Sequence, residues 1–116
     1  MVLEEFLKKQ AALLEPDYVV VAIDTARMEG GAELARRLRP DPVGGIPWMV
    51  ILDAQGRKMV TSDGGEKGNI GYPAEPHEID YFLTMLRATA RRMTPQRLAA
   101  VETALRDAAV KLRARR

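Results

Sequence analysis

The positions of apolar and polar residues along the chain predict seven elements of secondary structure, three of them in its first third. Residues 3–14 place leucines and a phenylalanine near helical spacing, and Pro16 ends that pattern. Residues 17–24, DYVVVAID, are a continuous β-branched and apolar run between acids. Such a run is typical of a parallel strand that is covered on both faces. Residues 29–40 return to helical spacing and end at Pro40, which predicts a short crossover helix.

A hairpin and two helices are predicted in the remainder of the chain. Residues 48–53, WMVILD, repeat the buried-strand pattern, and a turn at Gly56 leads into a second strand over 58–62. A loop with four glycines and two prolines covers residues 63–76. A helix is predicted over residues 76–93, with Pro76 in its first turn. A last helix is opened by the Thr-Pro pair at 94–95, which suits a cap and a first turn. The expected buried positions of these two helices are Ile79, Phe82, Leu83, Met85, Leu86, Leu98, Val101, Leu105, Ala108 and Leu112.

This order of elements, α-β-α-β-β-α with an extra C-terminal helix, predicts an α/β fold. We divide the chain into a domain over residues 1–92 and a basic amphipathic helix over residues 93–116. The length of 116 residues is enough for one hydrophobic core. No apolar run approaches the length of a membrane span, and charges interrupt the N-terminal stretch where a secretory signal would be apolar. The sequence as given therefore predicts a cytoplasmic protein without membrane contact.

The absence of cysteine removes several kinds of chemistry. A chain with no cysteine has no disulfide, no thiolate nucleophile and no thiolate metal site. Its single histidine, His77, leaves little for zinc, which favours nitrogen and sulfur ligands. Asp24, Asp53 and Asp63 follow predicted strands and are candidates for an oxygen-rich cation site, but their spacing matches no metal loop. We therefore predict neither a metal nor a cofactor.

The charges are distributed unevenly along the chain. Residues 87–116 hold nine lysines and arginines against two acids, a net charge of +7, whereas the first 86 residues carry −5. The basic end has two interpretations: it binds nucleic acid, or it lies against the acidic body of its own chain. Only 5% of the residues are aromatic, and no stacking motif accompanies the basic helix. The pattern favours the second interpretation, so no nucleic-acid partner is predicted.

Residues 44–57, GGIPWMVILDAQGR, together with the order of elements, resemble the thioredoxin superfamily. In that fold a Gly-Ile-Pro segment before a strand is the cis-proline loop, which Gly45, Ile46 and Pro47 match here. An X-Pro bond takes the cis form at modest cost, although a proline at a strand entry is usually trans. The resemblance implies that Ile46–Pro47 is cis and that Ile46, Pro47 and Trp48 face a protein or peptide partner. The alternative for Trp48 is a place in the core.

The chain departs from this family in its N-terminal part. The Cys-x-x-Cys motif of the family would fall just before Met1, as would its first strand, its first helix and its central strand. The resemblance thus implies a thioredoxin-like domain that is N-terminally truncated and lacks the redox motif. Three arrangements of the strands over 18–24 and 48–53 follow: they pair directly, another chain fills the slot between them, or the gene starts earlier. Because a small sheet leaves an open strand edge, we expect a homodimer.

Two classes of function remain for this chain. The first is a cysteine-free thioredoxin-like protein without thiol-disulfide exchange, which either binds a protein or peptide or is a truncated remnant of a redox protein. The alternative is a cysteine-independent hydrolase, in which Ser62 is the nucleophile, His77 the base and Asp63 the orienting carboxylate. No nucleophile-elbow pattern surrounds Ser62, so this second set is the weaker candidate. The glycine-rich stretch around Lys67 lacks the Gly-Lys-Ser/Thr ending of a phosphate loop and is interpreted as a connector.

Overall fold

Five α-helices and two short strands form the fold in the computed structural model, which describes residues 2–65 and 67–115. In chain order they are α1 (Val2–Lys9), α2 (Ala11–Leu14), α3 (Gly31–Leu38), β1 (Val50–Leu52), β2 (Lys58–Thr61), α4 (Pro76–Thr89) and α5 (Pro95–Ala114). A 3-10 turn, Ser62–Gly64, follows β2. None of the described helices combines the length and the apolar content that crossing a membrane requires. The architecture is therefore helical, with one small antiparallel sheet.

The predicted hairpin is confirmed. β1 and β2 pair antiparallel, with Val50 opposite Thr61 and Ile51 opposite Val60. Gly56 lies in the connecting turn with φ of 81°, a left-handed conformation that favours glycine. The Asp53 carboxylate accepts hydrogen bonds from two amides of the same turn, which closes it. The sequence pattern and the turn chemistry thus agree in this part of the chain.

The core lies between α4, α5, the N-terminal helices and one face of the hairpin. All five positions that were predicted for the buried face of α4 are buried, and so are Val101 and Leu105 of α5. Ala109 is buried in place of Ala108, which is half-buried together with Leu98 and Leu112. The helix over residues 3–14 is divided into α1 and α2 at Gln10. α5 contributes to the same core as residues 1–92, while the domain boundary at residue 92 stays a prediction.

The prediction of a buried parallel strand over residues 18–24 is wrong. The only sheet in the described part of the chain contains β1 and β2, so residues 18–24 do not pair directly with β1. Val19 and Val21 are 90% and 67% exposed. A strand exists only where a neighbour accepts its backbone hydrogen bonds, and the described residues supply no such neighbour here. The apolar run therefore follows the surface as an unpaired segment.

Residues 17 and 18 anchor the beginning of that segment to the end of α4 and to the connection between α4 and α5. The Asp17 carboxylate accepts hydrogen bonds from the backbone amides of Arg91, Arg92 and Met93, at 2.7 to 3.0 Å. The Tyr18 hydroxyl donates to the Leu86 carbonyl at 3.2 Å, at the end of α4. Burial alone raises the pKa of Asp17, but the three amides and the Arg92 charge outweigh it and hold this pKa below its ordinary value.

Replacing Asp17 by asparagine is expected to reduce the acid sensitivity of the fold. Because the pKa is lower in the folded state, the carboxylate stabilises the fold above its unfolded-state pKa of about 3.9. That contribution is lost as the pH falls through the folded-state pKa. We expect Asp17→Asn to cost about 1 kcal/mol at neutral pH, as for the loss of a helix cap, and less at acidic pH. Urea unfolding at a series of pH values measures the difference.

Asp24→Asn is the matched control for this experiment. Asp24 also accepts two backbone amides, from Ala26 and Arg27, but both lie in its own turn. We expect its effect on stability to be smaller, because the bonds join residues that are already neighbours. Parallel pH profiles for the parent chain and Asp17→Asn would contradict the role assigned to Asp17.

Candidate functional site

The candidate site is the loop over residues 44–48, called here the Pro47 loop. The Ile46–Pro47 peptide bond is cis, as predicted. Gly44 and Gly45 have φ of 95° and 73°, which a residue with a side chain rarely adopts. The Ile46 side chain is 79% exposed, whereas Pro47 and Trp48 are half-buried. The loop thus presents one large apolar side chain to solvent, directly before β1.

Asn69 holds the Pro47 loop in place from the glycine-rich loop. Its side-chain amide nitrogen donates to the carbonyls of Gly44 (3.2 Å), Gly45 (3.1 Å) and Pro47 (2.9 Å). Its side-chain oxygen accepts from the amide of Gly71 at 3.2 Å. The loop carbonyls only accept hydrogen bonds, and the backbone amide of Gly71 only donates one. These partners therefore determine the orientation of the Asn69 side-chain amide group. One side chain therefore binds three carbonyls within four residues of backbone.

Ser62 connects this arrangement to the end of the hairpin. The Ser62 side chain is completely buried, and its hydroxyl donates to the Asn69 side-chain oxygen at 2.7 Å. The same hydroxyl oxygen accepts from the Met49 amide at 2.9 Å. In addition, the Ser62 amide donates to the Met49 carbonyl at 2.9 Å. The hydroxyl thus has both a donor and an acceptor partner, and it links Asn69 to the backbone just after the Pro47 loop.

Arg39 binds the outer side of the same loop. Its guanidinium donates to the carbonyls of Val43 (2.6 Å) and Gly45 (2.9 Å) and lies 5.1 Å from the centre of the Trp48 ring. An arginine at this distance from an indole is within range of a cation–π interaction. The Arg39 Nε atom is buried and has no hydrogen-bond partner in the described part of the chain. Arg39 and Asn69 together engage the loop from two directions.

Trp48 lies beside a small open cavity. Its indole nitrogen donates to the Asp63 carboxylate at 2.8 Å. The side chain is half-buried, so it is neither fully exposed nor part of the buried core. The cavity has a volume of about 160 Å³ and is lined by Leu38, Arg39, Pro40, Asp41, Trp48, Lys58, Thr61 and Asp63. Two basic and two acidic side chains therefore share its wall. The cavity is small compared with the pockets of about 300 Å³ or more that hold drug-sized ligands.

The structure does not assemble the candidate hydrolase set. The Ser62 hydroxyl is bonded to Asn69 and Met49, and Asp63 accepts from Trp48. His77 lies in the first turn of α4 and makes no hydrogen bond with Ser62 or Asp63 in the described structure. A serine nucleophile needs its base within hydrogen-bond reach. The geometry gives Ser62 a structural role instead.

The three aspartates that follow predicted strands are also used locally. Asp24 caps its own turn, Asp53 closes the hairpin turn, and Asp63 binds the indole of Trp48. Within the described residues, no group of three or more acidic or histidine side chains is placed to hold a metal ion.

The basic C-terminal helix meets acids of its own chain at Arg106, which forms ion pairs with Asp80 at 3.3 Å and Glu102 at 2.9 Å.

Asn69 and Arg39 are the site residues that the sequence did not predict. Asn69 is the only asparagine of the chain and lies between two glycines of positive φ, Gly68 and Gly71, in the glycine-rich loop. A lone amide side chain among such glycines is a signal that could have marked it as a loop organiser. Arg39 follows α3 and resembles the other arginines around it, so its sequence position carries no comparable signal.

Comparison of the chain with family models, with curated proteins and with solved structures found no match in any of the three. The geometry of the Pro47 loop is therefore the basis on which a function is proposed.

Proposed function

We propose that this chain is a cysteine-free thioredoxin-like module that binds an extended peptide or protein segment at Ile46, Pro47 and Trp48. The observation that carries the proposal is the 79% exposure of the Ile46 side chain on a loop that Asn69 and Arg39 hold in one conformation. Exposed apolar side chains that are fixed in place lose little freedom on binding, which favours association. A surface leucine or isoleucine on an unrestrained loop would lack this advantage.

The backbone of the loop supports a partner with an extended main chain. The carbonyls of Gly44, Gly45 and Pro47 are already bonded to Asn69. By contrast, neither the amide nor the carbonyl of Ile46 has a hydrogen-bond partner within residues 2–65 and 67–115. An extended peptide can exchange backbone hydrogen bonds with such a residue, as in other modes of strand addition. Ile46 thus offers both an apolar contact and free backbone groups.

The proposed binding involves no disulfide chemistry. Thiol-disulfide exchange begins when a thiolate attacks a disulfide sulfur. This chain has no cysteine, so it supplies no attacking thiolate. For the alternative hydrolase, the buried and fully bonded Ser62 hydroxyl offers no supporting geometry.

Replacing Ile46 by aspartate is expected to weaken peptide binding at least about tenfold, because removal of a central apolar contact typically has this effect or a larger one. The probes are peptides without tryptophan, enriched on the full chain from a phage-displayed random library. Trp48 is the only tryptophan of the chain, so its fluorescence reports binding at the loop. Far-UV circular dichroism checks that Ile46→Asp remains folded.

Val110→Asp is the matched control, since Val110 is 56% exposed on α5 and lies outside the Pro47 loop. It introduces the same charge without changing Ile46 or the contacts of Arg39. We expect it to bind the enriched peptides nearly as well as the parent chain. If the library yields no enriched peptide, or if Ile46→Asp binds like the control, the proposal fails, and a remnant without binding activity becomes the better interpretation.

A further inference from the structure

Residues 19–23, called here the valine segment, are an unpaired stretch of backbone on the protein surface. The segment contains no turn or bend and belongs to no strand. In the part of the chain that the structure describes, its amides and carbonyls make no hydrogen bond to other protein groups. Its two ends are fixed, by Tyr18 at the end of α4 and by Asp24 in the following turn. The segment is therefore held in place with its backbone groups available.

The chemistry of this segment selects a β-strand as its partner. Val19, Val20 and Val21 are 90%, 40% and 67% exposed. Water satisfies the free backbone groups but leaves these apolar side chains uncovered, which is unfavourable. A neighbouring strand does both, because it bonds the backbone groups along one edge of the segment and packs side chains beside the valines. Unprotected edges of this kind are known to pair with further strands.

We propose that a second copy of this chain pairs with the valine segment, antiparallel and related by a two-fold axis at Val21. In this register Val19 lies opposite the partner's Ile23, and Val20 lies opposite the partner's Ala22. Each larger side chain thus meets an apolar neighbour, and residues 19–23 contain no charge. Asp24 lies opposite the partner's Tyr18. A shift by one residue in one direction would oppose Asp24 to the partner's Asp17, and like charges opposite each other destabilise a strand pair; a shift in the other direction would place the Asp24 carboxylate opposite the apolar side chain of the partner's Val19.

Other observations favour a second copy over the alternatives. The apolar stripe of α5 is covered within its own chain, since Val101, Leu105 and Ala109 are at most 2% exposed, so α5 does not compete as the interface. The net charge of +2 is small, so two copies repel each other little. An antiparallel two-fold pairing uses the same edge of the segment in each of the two chains. The interface uses other residues than the proposed peptide site.

Light scattering of the full chain at micromolar concentrations tests this pairing. The expected mass is twice the chain mass of 12.9 kDa. Val21→Lys places two ammonium groups side by side at the axis and is expected to weaken the dimer about tenfold or more. Val110→Lys is the matched control, because Val110 is 56% exposed on α5 and lies outside the segment. It is expected to remain dimeric.

Each other outcome overturns the proposal. A parent chain that is monomeric throughout this range excludes the pairing, and a Val21→Lys variant that stays dimeric places the interface elsewhere. Open-ended assembly detected by thioflavin fluorescence contradicts the closed two-fold arrangement. A monomer that binds a synthetic strand peptide of sequence KVTVVK, with loss of binding in Val21→Lys, assigns the segment to a foreign strand. Ile46→Asp is expected to stay dimeric, so failure here is distinct from failure of peptide binding.

Discussion

Replacing Leu105 by alanine is expected to lower the free energy of unfolding by about 3 kcal/mol, since buried leucines replaced by alanine typically cost 2–5 kcal/mol. Leu105 is 0% exposed and lies in the middle of α5, which packs on α4 and α2. The truncated side chain leaves a cavity in the core. The cavity can be filled only if the helices around it move. Because domains of this size are stable by about 5–15 kcal/mol, the loss is a large fraction of the total.

Urea unfolding, followed by far-UV circular dichroism, measures this effect. Val110→Ala is the matched control, because Val110 lies on the same helix but is 56% exposed. We expect that substitution to change stability by no more than about 0.5 kcal/mol, as at other surface positions. Leu105→Asp, which places a charge in the same core position, is expected to prevent folding. Equal midpoints for Leu105→Ala and Val110→Ala would show that α5 does not rest on this core.

Replacing Asn69 by alanine is expected to lower the free energy of unfolding by about 2–3 kcal/mol and to abolish peptide binding at the Pro47 loop. The substitution removes the donor for three carbonyls and the acceptor for the buried Ser62 hydroxyl. A buried hydroxyl without its acceptor is more costly than the loss of one exposed hydrogen bond. The loop also loses the contacts that keep Ile46 in a single position.

Asn69→Asp separates the donor role of this residue from its shape. The aspartate keeps an acceptor oxygen for Ser62 and Gly71, but it presents a second oxygen to the loop carbonyls, where Asn69 donates. We expect it to release the Pro47 loop as Asn69→Ala does, with faster hydrogen exchange at the amides of Met49 and Ser62, which are hydrogen-bonded just after the loop. Gln55→Ala, at an exposed amide side chain of the hairpin turn, is expected to change neither property. Unchanged exchange in both Asn69 variants would contradict the assigned role.

The helices and the hairpin were predictable because their signals are local. Thr94 and Pro95 open α5 as expected, and the Thr94 hydroxyl accepts from the Arg97 amide at 3.1 Å. The turn at Gly56 and the apolar run before it defined the hairpin in the same way. In each case the residues that determine the structure lie within a few positions of one another.

The segment over residues 18–24 was mispredicted because strand formation depends on a distant partner. Its β-branched run indicates what the segment can do when another strand lies beside it, but the run does not supply that strand. The contact between Ser62 and His77 could not be judged from the sequence for the same reason. The fold places the Ser62 hydroxyl against Asn69 and Met49, and His77 in the first turn of α4. Asn69 and Pro47 are 22 residues apart in the sequence, and a single sequence contains no direct sign of the contact between them.

The anchoring of the valine segment at both ends bears on the entropy of association. A free loop of five residues would lose about 1–2 kcal/mol of conformational entropy per residue when it became a strand. Here the Asp17 and Tyr18 bonds and the Asp24 turn already restrict the ends of the segment in the single chain. Part of the conformational entropy of the segment is therefore already lost when the single chain folds, before any strand binds. Asp17→Asn changes no group within residues 19–23, but it loosens one end of the segment. The entropic cost of binding any strand partner is therefore expected to increase.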